Sequence, residues 1–285
     1  MLVKEFFDEA TATFSYIIVD SSTSKCAIID PVLDFDIFSG TISTKSADHL
    51  ISYINEEKLV LEWILETHAH ADHLTSASYI KSKLGGQIGI GARIKEVIDY
   101  WAPIFNTPES YLSCNQFDHL FEDNEIFNIG SIEVKVFFTP GHTPACSSYY
   151  MEDSVFVGDT ILMPHLGTAR TDFPGASAGT LYDSITKLLS LPDNTKVYVC
   201  HDYPPEGETL KSHCTVADQK KHNKFFSKNI SREEYISTRN KMDEGKPVPK
   251  LLLPSIQINI MAGKIDIKED NGREYIKIPL TISHI

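Results

Sequence analysis

One run of seven residues, THAHADH from Thr67 to His73, constrains this chain more than anything else in it. It follows an apolar stretch, Val60 to Leu65, that reads as a buried strand, and it leads into a helical pattern, His73 to Leu84, closed by Gly85. In an extended segment alternate side chains point to one side, so His68 and His70 reach a common point, while the turn into the helix swings Asp72 and His73 elsewhere. A fold that accepts this run must bring the end of a strand to a place where imidazoles and a carboxylate converge. The pattern H-x-H-x-D-H therefore predicts a metal site.

The remaining chain supplies both scaffold and further ligands. Strands are predicted at Phe14 to Val19, Cys26 to Ile29, Ile132 to Phe138, Ser148 to Val157 and Lys196 to Cys200, with helices near Asp48 to Glu57, Ala92 to Trp101 and Thr180 to Leu189. Interleaved strands and helices make this an α/β layered chain. Thr215 to Asp243 reads as helical and charged, and Leu251 to Ile285 as short extended pieces. The expected organisation is a catalytic core over residues 1–210 and a C-terminal helical and extended appendage over 211–285, packed on that core.

Three loops at predicted strand ends carry the same chemistry as the histidine run: Gly141-His142-Thr143, Gly158-Asp159-Thr160 and His201-Asp202. Taken singly, His142, Asp159 and His201 would each read as a hydrogen-bonded turn or structural residue. Their co-occurrence with H-x-H-x-D-H favours ligation, and imidazole with carboxylate suits zinc, iron or manganese better than a soft thiolate-binding metal.

Charge and cysteine usage narrow the alternatives. A net charge of −13 with no basic run argues against a nucleic-acid partner. The longest stretch without Asp, Glu, Lys or Arg, Val136 to Met151, is broken by two prolines and a glycine, so no membrane span is expected. The start, Met1 to Glu5, lacks a basic region followed by an apolar run, and the five cysteines form no C-x-x-C pair. Reduced thiols and a cytoplasmic location are the expectation. Cys146 and Cys200 are expected to pack rather than react.

The ordered set H-x-H-x-D-H, Gly-His, Gly-Asp and a final His resembles the metallo-β-lactamase superfamily. Within it, GHTPAC (Gly141 to Cys146), GDTILMP (Gly158 to Pro164) and GTARTDFPG (Gly167 to Gly175) resemble the persulfide dioxygenases, particularly the bacterial group described as β-lactamase-like hydrolases. The likeness continues through His201 to Tyr203, Val216 to Asn223, Leu253 to Asn259 and Tyr275 to Pro279. His165 departs from an expected acidic residue, and Cys200 from an expected glycine.

The resemblance implies an αββα sandwich with the metal at one edge of two central sheets. It implies one Fe(II) per chain, held by His68, His142 and Asp159, with His70, Asp72, His73 and His201 either orienting ligands and holding water or binding a second metal. A glutathione persulfide or related low-molecular-weight persulfide and O2 would be the partners, and homo-oligomer formation stays open. Asp72 and Arg170 are the expected catalytic residues, with Arg170 and Tyr203 touching substrate. Lys220 is a weaker substrate candidate.

A glyoxalase II-like thioester hydrolase, with two zinc ions per chain, needs the same seven ligands and is the main alternative. A metal-stabilised interaction protein without turnover and a superfamily nuclease stand behind it.

Overall fold

A computed structural model describes residues 1–266 and 268–280 of the chain. Its first sheet is built from β1 (Leu2–Asp8), β2 (Thr13–Asp20), β3 (Lys25–Ile29), β6 (Val60–Glu66), β8 (Gln87–Gly91) and β9 (His119–Phe121), hydrogen-bonded in that order. The pairs β3·β6, β6·β8 and β8·β9 are parallel. Parallel neighbours need crossovers, and three helices provide them: α1 (Lys45–Glu56), α2 (Ala77–Leu84) and α3 (Ile94–Phe105). A small sheet of β4 (Val32–Asp36), β5 (Thr41–Ser43) and β7 (Leu74–Thr75) lies within these connections.

The second sheet runs β10 (Ile126–Ile129), β11 (Ile132–Phe138), β12 (Ser147–Met151), β13 (Ser154–Phe156), β14 (Lys196–Tyr198) and β15 (His213–Thr215). Helix α4 (Ala178–Leu189) carries the chain from β13 to its parallel neighbour β14. After β15 come α5 (Val216–His222), α6 (Arg232–Asp243) and α7 (Leu252–Asn259).

Side-chain parity turns these sheets into layers. Every residue of β2 is buried: Phe14, Tyr16 and Ile18 meet Val134, Val136, Tyr149 and Phe156 of the second sheet. Ile17 and Val19, pointing the other way, share a cluster with Leu50 of α1, Ile80 of α2 and Ile98 of α3. On the far side of the second sheet, Val155 and Val197 pack against Leu181, Ile185 and Leu188 of α4. Helix, sheet, sheet, helix is the αββα sandwich that the resemblance implies.

Several predicted boundaries move. The stretch Ser148 to Val157 is two hairpin strands, turning at Glu152 in a left-handed conformation (φ 49°). The helix expected from His73 starts at Ala77, because Leu74 and Thr75 first pair with Leu33 and Val32 of β4. The helical reading of Thr215 to Asp243 is interrupted between α5 and α6, where Asn223 and Asn229 end short helical pieces. Leu251 to Asn259 is not extended: Leu252–Asn259 is a helix buried on nearly all sides, with Pro254 in its first turn, where no intrahelical donor is lost. The alternation of Ile256 and Ile258 imitates a strand because both faces of the helix are covered. Residue 267 and residues 281–285 of that expected extended tail lie outside the described residues. The residues after 210 also complete the second sheet through β15, and α7 contacts α3 and β7. Among the described residues no helix is long and apolar enough to cross a membrane.

Gly141, just before His142, adopts φ 141°, and a Cβ there would lie 2.3 Å from the Cα of Leu181. Gly141→Ala is expected to lower stability by about 2 kcal/mol or more, measured by urea unfolding, because backbone of α4 cannot withdraw from that contact.

Candidate metal centre

Five strands deliver the site from their C-terminal ends: β3 gives Asp30, β6 the run Thr67 to His73, β11 His142, β13 Asp159 and β14 His201. The two sheets are stitched together here, as Phe14 N donates to Cys200 O at 2.8 Å and Thr13 bridges to His201. Loops fixed at strand ends hold reactive groups more rigidly than free-standing loops.

Four of the imidazoles are anchored through one nitrogen. The Nδ1 of His142 meets the Arg170 carbonyl at 2.8 Å, that of His201 the Ala12 carbonyl at 2.8 Å, and that of His73 the Leu74 carbonyl at 3.1 Å. A carbonyl only accepts, so these Nδ1 atoms carry hydrogen and leave Nε2 as a lone-pair donor. His68 Nδ1 lies 3.0 Å from Thr67 Oγ1, whose own proton goes to Asp30 Oδ2 at 2.8 Å, so His68 takes the same tautomer.

The free nitrogens fall into groups. Ligand atoms of His68, His142 and Asp159 lie within 4.8 Å of one another, as do those of Asp72, Asp159 and His201, those of His70, Asp72 and His73, and those of Asp30, Glu66 and His70. Asp159 reaches both sides: its Oδ2 is 3.5 Å from His142 Nε2 and 3.9 Å from His68 Nε2, while its Oδ1 is 3.4 Å from His201 Nε2. His201 Nε2 is also 3.2 Å from Asp72 Oδ2.

The fit to a metal rests on unpaired atoms. His68 Nε2, His73 Nε2 and Asp159 Oδ1 are buried without a hydrogen-bond partner. Buried polar atoms are almost always satisfied, so a cluster of orphans aimed together marks a place for a cation.

Electrostatics agree. Burial pushes His68 well below the usual imidazole range, helped by His70 and His142 nearby, and burial together with His70 lowers His73 to about 4. Both are thus neutral and able to ligate at pH 7. Burial would raise Asp72, but His201 and His73 outweigh it and hold the carboxyl at about 2, ionised.

His68 and His70 do stand side by side, with ring centroids 4.0 Å apart, yet they serve different neighbours. His70 Nε2 lies 3.0 Å from Asp30 Oδ1 and 3.7 Å from Glu66 Oε2. Burial would depress His70, but these two carboxyl groups outweigh it and raise it to about 9. Glu66, next to Asp30 and equally buried, is pushed up to about 8 by burial first and by Asp30 second. Its Oε1 accepts a short hydrogen bond from Thr75 Oγ1.

The other named residues separate clearly. Arg170 and Tyr203 both line the cleft of about 240 Å³ above Asp72, His142, Asp159 and His201. Tyr203 is 53% exposed, its ring nearly parallel to that of His201. Lys220 is apart from the cleft, paired with Asp193 at 2.6 Å on the surface. Cys146 and Cys200 are buried free thiols, and Cys200 Sγ donates to Asp30 Oδ2 at 3.2 Å. His165 Nε2 lies 3.0 Å from the Tyr203 carbonyl and 3.4 Å from Asp202 Oδ1, so it steadies the turn after His201.

Sequence reasoning missed four contributors. Asp30 and Glu66 carry no motif beyond ending a strand. Asn259 on α7 donates to the carbonyls of His70 and His73 at 2.9 Å each and accepts from Thr75 N at 2.8 Å. Phe173 sets its ring edge against His142, centroids 5.2 Å apart.

The family profile described as the metallo-beta-lactamase superfamily matches residues 9–201. The chain is 50% identical to "Glyoxylase B2" of Dictyostelium discoideum over 98% of its own length and 96% of that protein's. It is 44% identical to a "Beta-lactamase hydrolase-like protein" of Xylella fastidiosa, again over 98% of its length but spanning 64% of that longer protein. Against the human "Persulfide dioxygenase ETHE1, mitochondrial" identity is 29%, over 87% of this chain and 84% of the relative. The crystal structure of ETHE1 from Myxococcus xanthus superposes with a TM-score of 0.75 at 30% identity, over 93% of this chain and all (100%) of that one.

Two outcomes test this geometry. Asp30→Asn is expected to leave the chain folded and to weaken metal binding about tenfold to a hundredfold by chelator competition, since it loosens both His70 and the Thr67–His68 relay. In metal-free protein, the unfolded chain protonates a histidine near pH 6.5, whereas folded His73 does so near 4. The unfolded state then holds more protons across that window, so His73's contribution to stability falls as pH falls. The stability difference between wild type and His73→Asn, followed by urea titration, should change across that range and flatten above it.

Proposed function

Because the chain belongs to the metallo-β-lactamase superfamily, we propose that it is a metal-dependent enzyme of the persulfide dioxygenase kind, oxidising glutathione persulfide or a related low-molecular-weight persulfide. The supporting observation is the group His68, His142 and Asp159: two imidazoles and one carboxylate, all buried, with Nε2 of His68 and Oδ1 of Asp159 unpaired. Two histidines and a carboxylate are the facial ligand set of non-haem iron(II) oxygenases, and zinc has no redox chemistry to offer dioxygen. Held by these three residues, iron would supply the redox chemistry by which dioxygen oxidises the substrate sulfur.

The reaction balances as RSSH + O2 + H2O giving RSH and sulfurous acid, which ionises to sulfite. The outer sulfur loses four electrons and dioxygen gains them. The protein's own residues position and move protons. Arg170 O and Ala12 O hold His142 and His201 in their ligating tautomers. Asp72, ionised and partly exposed beside His201, is placed to accept the persulfide proton or one from water. Tyr203, over His201, offers a hydroxyl at the wall of the cleft. His70 and His73 sit behind this surface, where they hold ligand loops or bind a second ion. Five buried, unpaired thiols suit a reducing, cytoplasmic setting.

A second reading has its own support. Asp159 belongs to two ligand groups, and Asp72 with His201 completes the other. Two zinc ions, which these two groups would hold, would supply an activated water for a glyoxalase II-like thioester hydrolase, and the Dictyostelium relative carries a glyoxylase name. Metal analysis with oxygen-electrode assays separates the two. One iron per chain, O2 consumption with glutathione persulfide and sulfite release are expected, with Asp159→Ala lowering the rate by about a hundredfold or more. Two zinc ions, cleavage of a glutathione thioester and no oxygen use would overturn the proposal.

A further inference from the structure

Two basic side chains line the cleft above the metal-ligating residues, Arg170 and Lys246. Arg170 is already engaged. Its Nε and Nη2 each donate at 2.6 Å to the two carboxylate oxygens of Asp172, and its Nη1 donates at 3.0 Å to the Pro247 carbonyl. That two-pronged pairing uses the very edge by which an arginine would grasp a substrate carboxylate. Arginine and aspartate cancel, and an incoming carboxylate would have to evict Asp172.

Lys246 is placed differently. Its Nζ donates to Asp243 Oδ1 at 2.9 Å, but Arg239 already holds the same carboxylate through Nε at 2.9 Å and Nη2 at 2.5 Å. Thr171 N adds a further bond to Asp243 Oδ2 at 2.8 Å. Two cations therefore share one anion. Arg239 and Asp243 are buried, whereas the Lys246 side chain is 38% exposed, so the surplus positive charge emerges at Lys246. An ammonium carries three donors, and one faces Asp243. The segment bearing it, GKPVPK from Gly245 to Lys250, contains two prolines of fixed φ and is tied to the cleft by the Arg170 bond to Pro247.

The geometry points to Lys246 as the residue that receives the anionic end of the substrate, a carboxylate of its thiol carrier, with Arg170 as a positioning residue that holds both the Lys246 segment and His142. This rests on the reading of the cleft as the site of a small acidic persulfide. Binding of reduced glutathione and of its diethyl ester to the metal-loaded protein tests it without turnover, by calorimetry.

Wild type should bind glutathione more tightly than the ester. Lys246→Gln should weaken glutathione about tenfold and leave the ester nearly unchanged, and Lys246→Arg should retain most of the affinity. In turnover, Lys246→Gln should raise KM while kcat holds. Equal affinity of wild type for glutathione and ester, or equal weakening of both by Lys246→Gln, overturns the assignment. If Lys246-dependent binding of glutathione is found but no oxygen is consumed with the persulfide, the dioxygenase reading falls and the assignment of Lys246 stands. Oxygen uptake that Lys246→Gln does not alter gives the reverse.

Discussion

The carboxylate of Asp30 is the contact on which the centre depends. Buried at the end of β3, it accepts from Thr67 N at 2.7 Å, Thr67 Oγ1 at 2.8 Å and Cys200 Sγ at 3.2 Å, and it faces His70 Nε2 at 3.0 Å. One side chain thus ties β3 to the loop after β6 within the first sheet and to Cys200 in the second. A buried ionised carboxylate costs several kcal/mol of desolvation, and only a full complement of donors offsets it. The donors are chiefly backbone and side-chain groups of the histidine loop, so the same bonds that offset the cost fix the orientation of His68 and His70. Cys200, where the resemblance leads one to expect glycine, is one of those donors. Its thiol is raised well above its ordinary range by burial and by Asp30, and so stays protonated as the bond requires.

Much of this side-chain cluster was legible because its members come in short runs with fixed spacing. H-x-H-x-D-H is rare by chance, and Gly-His and Gly-Asp follow strands whose apolar pattern is plain. Strand parity made the buried character of β2 and β6 readable as well. The supporting residues were illegible for a physical reason: Asp30, Glu66 and Asn259 act through contacts 37, 9 and 189 positions away in the chain, to Thr67, Thr75 and His70. A lone carboxylate or amide gives no local hint of such a partner.

Arg170 shows a different limit of sequence reading. It lines the cleft, and the sequence did not reveal that Asp172, two residues on, would pair with its guanidinium edge. Helix α7 was misread because Ser255, Gln257 and Asn259 alternate with apolar residues and are buried with them, so the sequence mimics a strand's period of two. Its location beneath the histidine loop explains that composition. Pocketed between α3 and β7, it has no solvent side to advertise.

The position of Asn259 has a consequence for how the protein matures. The carbonyls of His70 and His73 and the amide of Thr75 find their partner on a helix 189, 186 and 184 positions further along the chain. Until α7 has been synthesised, the two sheets can assemble, but the histidine loop lacks its clasp. The histidine loop therefore reaches its final arrangement only after α7 has docked beneath it.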